Sequence, residues 1–268
     1  MAYCYFNGEI VEESKASIPL HHLGVQRGFG VFDLFRGRQG KPVFMEDHLD
    51  RFERSQQFLG LSDLISKVEI RQAVADLQQK NGFSESTFKL MLLGDGSESE
   101  MMLKPFFYIL HLDLSKHQNP DSSSIILHEY LREYPEIKSI NYLTSNRLHV
   151  KRMKVNAIDV VYHKDGLITE ASRSNVFMVQ SGEIITPKNN ILNGITRKQI
   201  LSFCNDIGTI HVRDVTLDEF RSADEIFLTS TLKEVLPIVE VDGKKVGDGQ
   251  IGAVSKKIKR RFIDHLHQ

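Results

Sequence analysis

The chain is divided near its middle by one strongly polar segment, Ser115–Ser124, which reads Ser-Lys-His-Gln-Asn-Pro-Asp-Ser-Ser-Ser. Such a segment has no large apolar side chain to bury and is rich in turn-forming residues, so it is typical of a linker. Short strand patterns and amphipathic helix patterns are mixed on both sides of it, and no repeat of fixed period is present. We therefore predict an α+β protein with an N-terminal domain over residues 1–114, a linker over 115–124 and a C-terminal domain over 125–268.

The N-terminal half is predicted to contain hairpins and two helices. Asn7-Gly8 separates two short strand patterns, and because both residues tolerate positive φ this dipeptide favours a two-residue hairpin turn. Apolar residues recur at helical spacing over Met45–Leu59 and again over Lys67–Lys80. Strands are predicted near Thr87–Leu93 and Phe106–Leu112.

The C-terminal half shows the same mixture of patterns. A helix is predicted near Tyr142–Val155, and Lys164-Asp165-Gly166 is predicted to form a hairpin turn after it. A second helix is predicted over Ile195–Ile207, where Gly208 would serve as its cap. Strands near Glu225–Leu228 and Ile238–Val241 and a C-terminal helix complete this half.

Charge and cysteine content narrow the class of function. Lys and Arg total 34 against 35 Asp and Glu, a net charge of −1, so no overall field favours nucleic acid or an anionic membrane. Cys4 and Cys204 form neither a CxxC pair nor a disulfide framework and fit a reducing compartment. No signal-peptide pattern or long apolar run is present. We expect a cytoplasmic protein that acts on small molecules.

Two other readings of local residue clusters are weaker. The run Arg147–Lys154 is basic enough to suggest contact with nucleic acid, but no aromatic residues are interleaved and no nucleic-acid motif is present. His21 and His22 are adjacent, so their side chains do not readily share a metal ion, and no HExxH or CxxC pattern occurs. We predict neither a nucleic-acid partner nor a metal site.

Two segments of the second half are candidates for binding phosphate. Gly194-Ile195-Thr196 begins a predicted helix, whose first turn has backbone N–H groups without helical partners. The hydroxyl-bearing residues Ser230 and Thr231 follow a predicted strand. On the residues alone, an ordinary helix cap and a polar strand end remain open as explanations.

Three charged residues are further candidates. Arg51 is expected to lie off the apolar stripe of its helix, where a guanidinium can bind a phosphate through two hydrogen bonds. Lys138 stands between apolar neighbours, where it either extends to water or is held inside as the neutral amine that Schiff-base chemistry needs. Glu170 follows the predicted strand Leu167–Thr169, and an ordinary turn residue is the alternative reading.

Taken in order along the chain, these segments resemble the pyridoxal phosphate (PLP) enzymes of fold type IV, which include branched-chain aminotransferases, D-amino-acid aminotransferases and aminodeoxychorismate lyases. The resemblance extends from Phe6 to Gly247. The segments that carry it are His48–Phe52, Ile137–Leu143, Gly166–Phe177, Asn193–Arg197 and Phe227–Thr231.

The resemblance implies a role for each matching residue. Lys138 corresponds to the lysine that bonds covalently to the cofactor aldehyde, and Glu170 to the carboxylate that faces the pyridine nitrogen. Tyr142 resembles a tyrosine that contacts the cofactor's 3′-oxygen, although its spacing from Lys138 is one residue shorter than in branched-chain aminotransferases. The remaining cofactor-binding positions, which include those for the phosphate, are Arg51, Asn175, Gly194, Ile195, Thr196, Ser230 and Thr231.

The resemblance also implies a two-domain protein with PLP in the interdomain cleft, most of the site lying in the C-terminal domain, and a homodimer. Amino acids and 2-oxo acids are the implied substrates. Because Lys138 and Glu170 are both present, we expect an active enzyme rather than an inactive member of the family.

The choice among the family's activities depends on two segments. Phe32–Arg36 carries Leu34 where the lyases tend to carry a threonine and branched-chain aminotransferases a glycine. Leu92–Met101 lacks the Arg-x-His pair that holds the substrate carboxylate in D-amino-acid aminotransferases, and carries Asp95, Glu98 and Glu100 instead. We therefore expect an aminotransferase most like the branched-chain type. The lyase, which releases pyruvate and 4-aminobenzoate, is the first alternative and a D-amino-acid aminotransferase the second.

Overall fold

The computed structural model describes residues 2–62, 64–94 and 105–266. The chain separates into two compact units, one comprising Met1–His117 with Ile137–Asn141 and the other Gln118–Glu136 with Tyr142–Gln268. The division between His117 and Gln118 falls within the segment predicted from its polarity to be a linker. A strand begins within that same segment, at Ser123.

The first unit is a six-stranded sheet with two long helices packed on it. The strand order is β2-β1-β6-β5-β3-β4, and every pair is antiparallel. In chain order its elements are β1 (Tyr3–Phe6), β2 (Glu9–Glu12), α1 (Leu23–Arg27), β3 (Gly30–Arg38), β4 (Lys41–Pro42), α2 (Met45–Phe58), α3 (Lys67–Asn81), β5 (Glu85–Leu93) and β6 (Phe106–Asp113).

Local sequence signals account for most of this unit. Asn7 and Gly8 have φ of 45° and 101°, so the predicted hairpin turn between β1 and β2 is confirmed. Ser66 and Glu69 form a reciprocal capping box at the start of α3. The apolar stripes of α2 and α3 bury Leu49, Phe52 and Leu77 among other side chains in one core with the inner face of the sheet.

Residues Ile137–Asn141 belong to the first unit although they lie far along the chain. Ser139 forms an antiparallel bridge with Val31, and the backbone N–H of Phe32 donates to the carbonyl of Lys138 over 2.9 Å. The segment is therefore bonded to the edge of β3. This corrects the expectation that Lys138 lies in the C-terminal domain, because pairing with a distant strand decides its place and leaves no signal in the segment's own sequence.

The second unit is built on a ten-stranded mixed sheet in the order β12-β11-β10-β14-β15-β7-β8-β9-β13, with β16 paired to β15. Helices α6 and α8 pack against β14. In chain order its elements are β7 (Ser123–Glu129), α4 (Leu143–Arg147), α5 (His149–Lys154), β8 (Ala157–Lys164), β9 (Leu167–Ala171), β10 (Asn175–Gln180), β11 (Glu183–Thr186), α6 (Ile195–Phe203), β12 (Ile210–Val212), β13 (Val215–Thr216), α7 (Leu217–Arg221), β14 (Glu225–Ser230), β15 (Glu234–Val241), β16 (Lys244–Lys245) and α8 (Ala253–His265).

Two predicted helices differ from the structure. The helix expected near Tyr142–Val155 is two short helices that meet at Leu148, the one buried residue of that segment. Without a continuous apolar face to pack, a single long helix is not stabilised there. The helix expected to reach Ile207 ends at Phe203 and continues as a short 3-10 turn. Among the residues described, no helix has the length and apolar character needed to cross a membrane.

Candidate functional site

Lys138 is half-buried against an aromatic ring in the first unit. Its Nζ lies 4.5 Å from the centroid of the Phe32 ring, the geometry of a cation–π contact when the amine is charged. Lys89 on β5 places its Nζ 5.6 Å from the centroid of the same ring. The position of the Lys138 backbone is fixed by its bond to Phe32, so the side chain extends from a rigid segment.

Arg51 is buried, which corrects the expectation that it lies off the buried side of its helix. Its Nε and Nη2 donate to the two oxygens of Asp33 on β3, each over 2.8 Å. The Nδ1 of His48 lies 2.7 Å from Oδ1 of the same carboxylate. The apolar spacing of α2 did not predict the burial of Arg51, because the helix buries a polar cluster beside its apolar stripe.

The electrostatics of this cluster follow from its burial. Burial alone would raise the pKa of Asp33, but Arg51 and His48 reverse that effect and hold it well below its usual range. Burial lowers the pKa of His48 and favours its neutral form. Asp33 is therefore an anion that fixes the direction of the Arg51 guanidinium.

Ser55, one turn after Arg51 on α2, connects Arg51 with the Lys138 segment. Its hydroxyl donates to the Arg51 carbonyl over 3.1 Å. The backbone N–H of Lys138 donates to the same hydroxyl oxygen over 3.4 Å. Two residues 87 positions apart in the sequence are thereby joined through one side chain.

Glu170 is a buried carboxylate at the end of β9 in the second unit. Its Oε1 accepts a hydrogen bond from Nε of Arg132 over 2.7 Å, and its Oε2 accepts one from the backbone N–H of Leu192 over 2.9 Å. Arg132 also donates to the carbonyl of Pro135. Burial alone would lower the pKa of Arg132, but the charge of Glu170 outweighs that effect and raises it above its ordinary value.

Asn175 positions the segment that leads into α6. Its Nδ2 donates to the carbonyl of Leu192 over 2.8 Å, so Leu192 is held at both backbone groups. Gly194 follows as the N-cap of α6, and a Cβ there would lie 1.9 Å from Oδ1 of Asn175, so a larger residue would displace the Asn175 side chain. Among the residues described, no side chain caps this helix, so the N–H groups of its first turn, including those of Ile195 and Thr196, have no helical partners.

Ser230 and Thr231 lie at the turn from β14 to β15, and β14 is paired with β10 so that Thr229 is opposite Asn175. The Oγ1 of Thr229 is buried and has no hydrogen-bond partner among the described residues. Because strand side chains alternate, Thr229 lies on the same face of the sheet as Phe227. Buried hydroxyl groups in proteins are normally hydrogen-bonded, so we expect a polar ligand or a water molecule to bind here.

The other sequence candidates are placed as follows. Tyr142 is half-buried at the N-cap of α4, close enough to Arg132 to contribute to the raised pKa of that residue. Within residues 2–62, 64–94 and 105–266 no group of three or more His, Cys, Asp or Glu side chains is arranged to hold a metal ion. Asp95, Glu98 and Glu100 lie outside the described residues.

Comparison with known proteins decides the family. The family model for "Amino-transferase class IV" matches residues 30–241, most of the chain. The chain belongs to the class IV aminotransferases. It is therefore an enzyme, a PLP-dependent transaminase acting on amino acids and 2-oxo acids, and the family expected from the five motifs is confirmed.

Two curated relatives have similar identities to this transaminase. A Methanocaldococcus jannaschii protein named "Putative branched-chain-amino-acid aminotransferase" is 28% identical over 97% of this chain and 95% of its own length. The D-alanine aminotransferase of Bacillus licheniformis is 28% identical over 95% of this chain and 93% of its own length.

Solved structures confirm the expected two-domain fold of type IV. The branched-chain aminotransferase of Thermoproteus uzoniensis with norvaline matches with a TM-score of 0.91 at 24% identity, over 99% of this chain and 94% of that one. The branched-chain aminotransferase of Thermobaculum terrenum in its PLP form matches with a TM-score of 0.89 at 22% identity, over the same shares.

The residues of this chain fit PLP chemically. A cofactor of this kind needs an amine, an acid for its ring nitrogen and donors for its phosphate. Lys138 has an amine and Glu170 a buried carboxyl group, which are groups of the first two kinds. The start of α6 and the Thr229 hydroxyl would be donors suited to phosphate, and Arg51 would add a cation.

Sequence reasoning did not identify two charged residues of these clusters. Asp33 carried a detectable signal, because it alternates with the buried residues Val31 and Phe35 on β3 and a buried acid needs a partner. Arg132 lies in an irregular segment after β7 and carried no local signal, since its partner Glu170 is 38 residues away.

Proposed function

We propose that Lys138 is the residue that bonds to PLP, that Glu170 faces the ring nitrogen, and that Arg51, Gly194, Ile195, Thr196, Ser230 and Thr231 bind the phosphate, with Asn175 and Tyr142 completing the site. The observation that carries the proposal is the pair of hydrogen bonds to the backbone of Leu192. Glu170 and Asn175 bond to its two backbone groups, three residues before α6 begins at Ile195. Glu170, which is proposed to face the ring, and the start of α6, which is proposed to bind the phosphate, therefore belong to one hydrogen-bonded network.

When bound, PLP supplies an aldehyde that takes up an amino group and a ring that accepts the electrons released at the substrate Cα. With the cofactor bound, the amine of Lys138 would be the base that removes the substrate Cα proton and returns it at the C4′ atom. An amine that carries a proton between two nearby carbons must be held rigidly, and the fixed backbone of Ile137–Asn141 provides this.

Glu170 favours a proton on the ring nitrogen by opposite-charge attraction. Arg132 has a second effect, because it holds the carboxylate in one orientation while sharing its charge. The carboxylate that results is well oriented, since both side chains are buried and bonded to each other.

The phosphate is held by groups of two kinds. Arg51 supplies positive charge whose direction is set by Asp33. The start of α6 supplies backbone N–H groups and the positive end of the helix dipole, and Ser230 and Thr231 add hydroxyls. Hydrogen bonds to a charged group contribute about 1.5–3 kcal/mol each, so several together retain a cofactor through turnover.

We propose a branched-chain amino acid as the amino donor. The support is the name of the archaeal relative and the fold shared with two branched-chain aminotransferases. A D-amino acid is the second candidate, because D-alanine aminotransferases of Bacillus licheniformis and Staphylococcus epidermidis are 28% and 29% identical to this chain over nearly its whole length.

The activity is tested by giving the PLP-loaded protein one amino donor at a time with 2-oxoglutarate and resolving the glutamate formed by chiral chromatography. The proposal predicts that L-leucine, L-isoleucine or L-valine reacts at least about tenfold faster than D-alanine, a difference within the reach of one substrate pocket. The reverse order would establish the second candidate. Release of pyruvate from aminodeoxychorismate without any 2-oxo acid would establish the lyase instead.

We also propose that the enzyme is a cytoplasmic homodimer without nucleic-acid or membrane partners. Cys4 and Cys204 are buried free thiols, as expected where thiols stay reduced, and the near-zero net charge supports the absence of polyanionic partners. The dimer is expected from the family resemblance. Light scattering on the purified protein should give twice the mass of 30.6 kDa; a mass of one chain would contradict the dimer.

A further inference from the structure

An ion pair with a buried carboxylate and a partly buried lysine lies in the second unit, beside the turn that carries Ser230 and Thr231. Nζ of Lys233 lies 2.8 Å from Oδ2 of Asp159 on β8, and the Asp159 side chain is 2% exposed. The same Nζ donates to Oγ of Ser174 over 3.0 Å. Neither Lys233 nor Asp159 takes part in the chemistry described above.

Lys233 is part of the turn as well as of the ion pair. Its backbone N–H donates to Oγ of Ser230 over 3.1 Å. Ser230 is the last residue of β14 and is opposite Glu234 in the pairing with β15, so Thr231, Leu232 and Lys233 form the whole connection. The ion pair therefore fixes one end of a three-residue turn, and the bond from Asn119 to the carbonyl of Leu232 fixes its middle.

Asp159 also holds the turn that precedes Asn175. Its Oδ1 accepts from the hydroxyl of Ser172 over 2.5 Å, and its Oδ2 lies 3.4 Å from the hydroxyl of Ser174. Ser174 is bridged to Ala171 at the end of β9. One carboxylate thus connects the loop between β9 and β10 with the loop between β14 and β15.

The Asp159 side chain is ionised. Burial would raise the pKa of Asp159, but Lys233 and the serine hydroxyls hold it below its ordinary value. An ion pair of this kind adds little net stability, because the cost of desolvating the charges offsets their attraction. The main effect of the pair is on loop position. Asp159 and Lys233 form four hydrogen bonds with each other and with Ser172 and Ser174, and these bonds restrict the positions that the two loops can take.

We propose that Asp159 and Lys233 are positioning residues that hold Ser230 and Thr231 in the conformation that binds the cofactor phosphate, and so set the preference of the protein for PLP over unphosphorylated pyridoxal. The inference rests on the proposed phosphate role of these two residues. The inference concerns the ratio of the affinities for PLP and pyridoxal, whereas the proposed function concerns the attachment of PLP to Lys138. Each can therefore be contradicted without the other.

The test compares dissociation constants of PLP and of pyridoxal for the full-length protein after its cofactor has been removed. Lys233→Met keeps the length of the side chain and removes its charge. We expect the dissociation constant of PLP to rise about tenfold, the effect of losing roughly 1.4 kcal/mol of phosphate binding, while that of pyridoxal changes less than about twofold. Lys233→Arg should restore most of the preference.

Lys164→Met is the matched control, because Lys164 lies on the same strand as Asp159 and pairs with Glu129 at the exposed surface over 3.1 Å. It should leave both constants unchanged. Equal weakening of PLP and pyridoxal by Lys233→Met would indicate a purely structural role and overturn the proposal, as would no weakening of either.

Should Lys233→Met fail to fold, Ser174→Ala serves instead, since it removes one bond to Lys233 and leaves the ion pair intact. Selective weakening of PLP by this variant would support the proposal, and equal effects on both ligands would overturn it. Reductive labelling of Lys138 with PLP in the unmodified protein reports separately on the proposed function.

Discussion

Nε of Arg132 donates to Oε1 of Glu170 over 2.7 Å, and both side chains are at least nine-tenths buried. The contact joins the irregular segment after β7 to the end of β9. An acid proposed to face a protonated ring is thereby also bonded to a cation. Its charge is shared between two partners, and its orientation is fixed before any cofactor is bound.

Arg132→Gln should destabilise the protein and shift its pH dependence. Removing one partner of a buried pair leaves the other charge uncompensated, which costs about 3–5 kcal/mol. Without Arg132 the charged form of Glu170 is less favoured, so the acidic limb of the pH–rate profile should move to higher pH. Chemical denaturation and rate measurements across pH check both effects. An unshifted acidic limb in a folded variant would contradict the proposed coupling.

Glu170→Gln should leave a folded protein that still bonds PLP but transaminates slowly. The amide keeps the shape of the side chain and can still accept from Arg132, but it no longer favours a proton on the ring nitrogen. Losing one well-placed electrostatic group costs roughly 100-fold in rate. Single-turnover kinetics measure this, with Glu129→Gln, an exposed acid on β7, as the control. A rate equal to that of the parent would refute the role at the ring nitrogen.

Asp33→Asn should weaken PLP binding through Arg51. Asp33 accepts two hydrogen bonds from the Arg51 guanidinium, and its loss leaves a buried cation without its anion, at a cost of about 3–5 kcal/mol. Glu85→Gln is the matched control, because its pair with Arg36 at 3.2 Å is partly exposed and worth about 0–1 kcal/mol. Thermal unfolding and PLP titration of both variants check the difference. Equal effects would show that Asp33 does not direct Arg51.

His111 should make stability fall in mild acid. Burial lowers the pKa of this side chain from 6.5 to about 4, so the folded state favours the neutral ring. Between these values the unfolded chain binds more protons, and the free energy of unfolding therefore decreases as pH falls from 6.5 towards 4. His111→Phe, which keeps the stacking on Phe88, should flatten this slope, whereas the exposed-site control His117→Phe should not. An unchanged slope in His111→Phe would contradict the assignment.

The sequence predicted those parts of the fold that depend on neighbouring residues. Asn7-Gly8 forms the expected turn, and the helices at Met45–Phe58 and Lys67–Asn81 follow from apolar spacing and a capping box. It did not predict the placement of Ile137–Asn141, because that segment is held by pairing with β3, about a hundred residues earlier. Distant pairing leaves no local pattern to detect.

The residues of the candidate site also fall into those that the sequence identifies and those that it does not. The family motifs named Lys138, Glu170 and Asn175, residues whose chemistry is recognisable from type and order along the chain. The groups that orient them, such as Asp33 and Arg132, are ordinary charged residues in sequence. Their significance depends on burial and on partners that only the folded chain brings near.

The attachment of PLP to Lys138 is the central claim, and borohydride reduction of the loaded protein followed by peptide mass spectrometry tests it directly. We predict a single pyridoxyl adduct on Lys138, absent from a folded Lys138→Ala variant that has also lost transaminase activity. Lys89, whose Nζ faces the same Phe32 ring, is the internal comparison and should remain unmodified. An adduct on Lys89 or on any other side chain, or full activity in Lys138→Ala, would contradict the account.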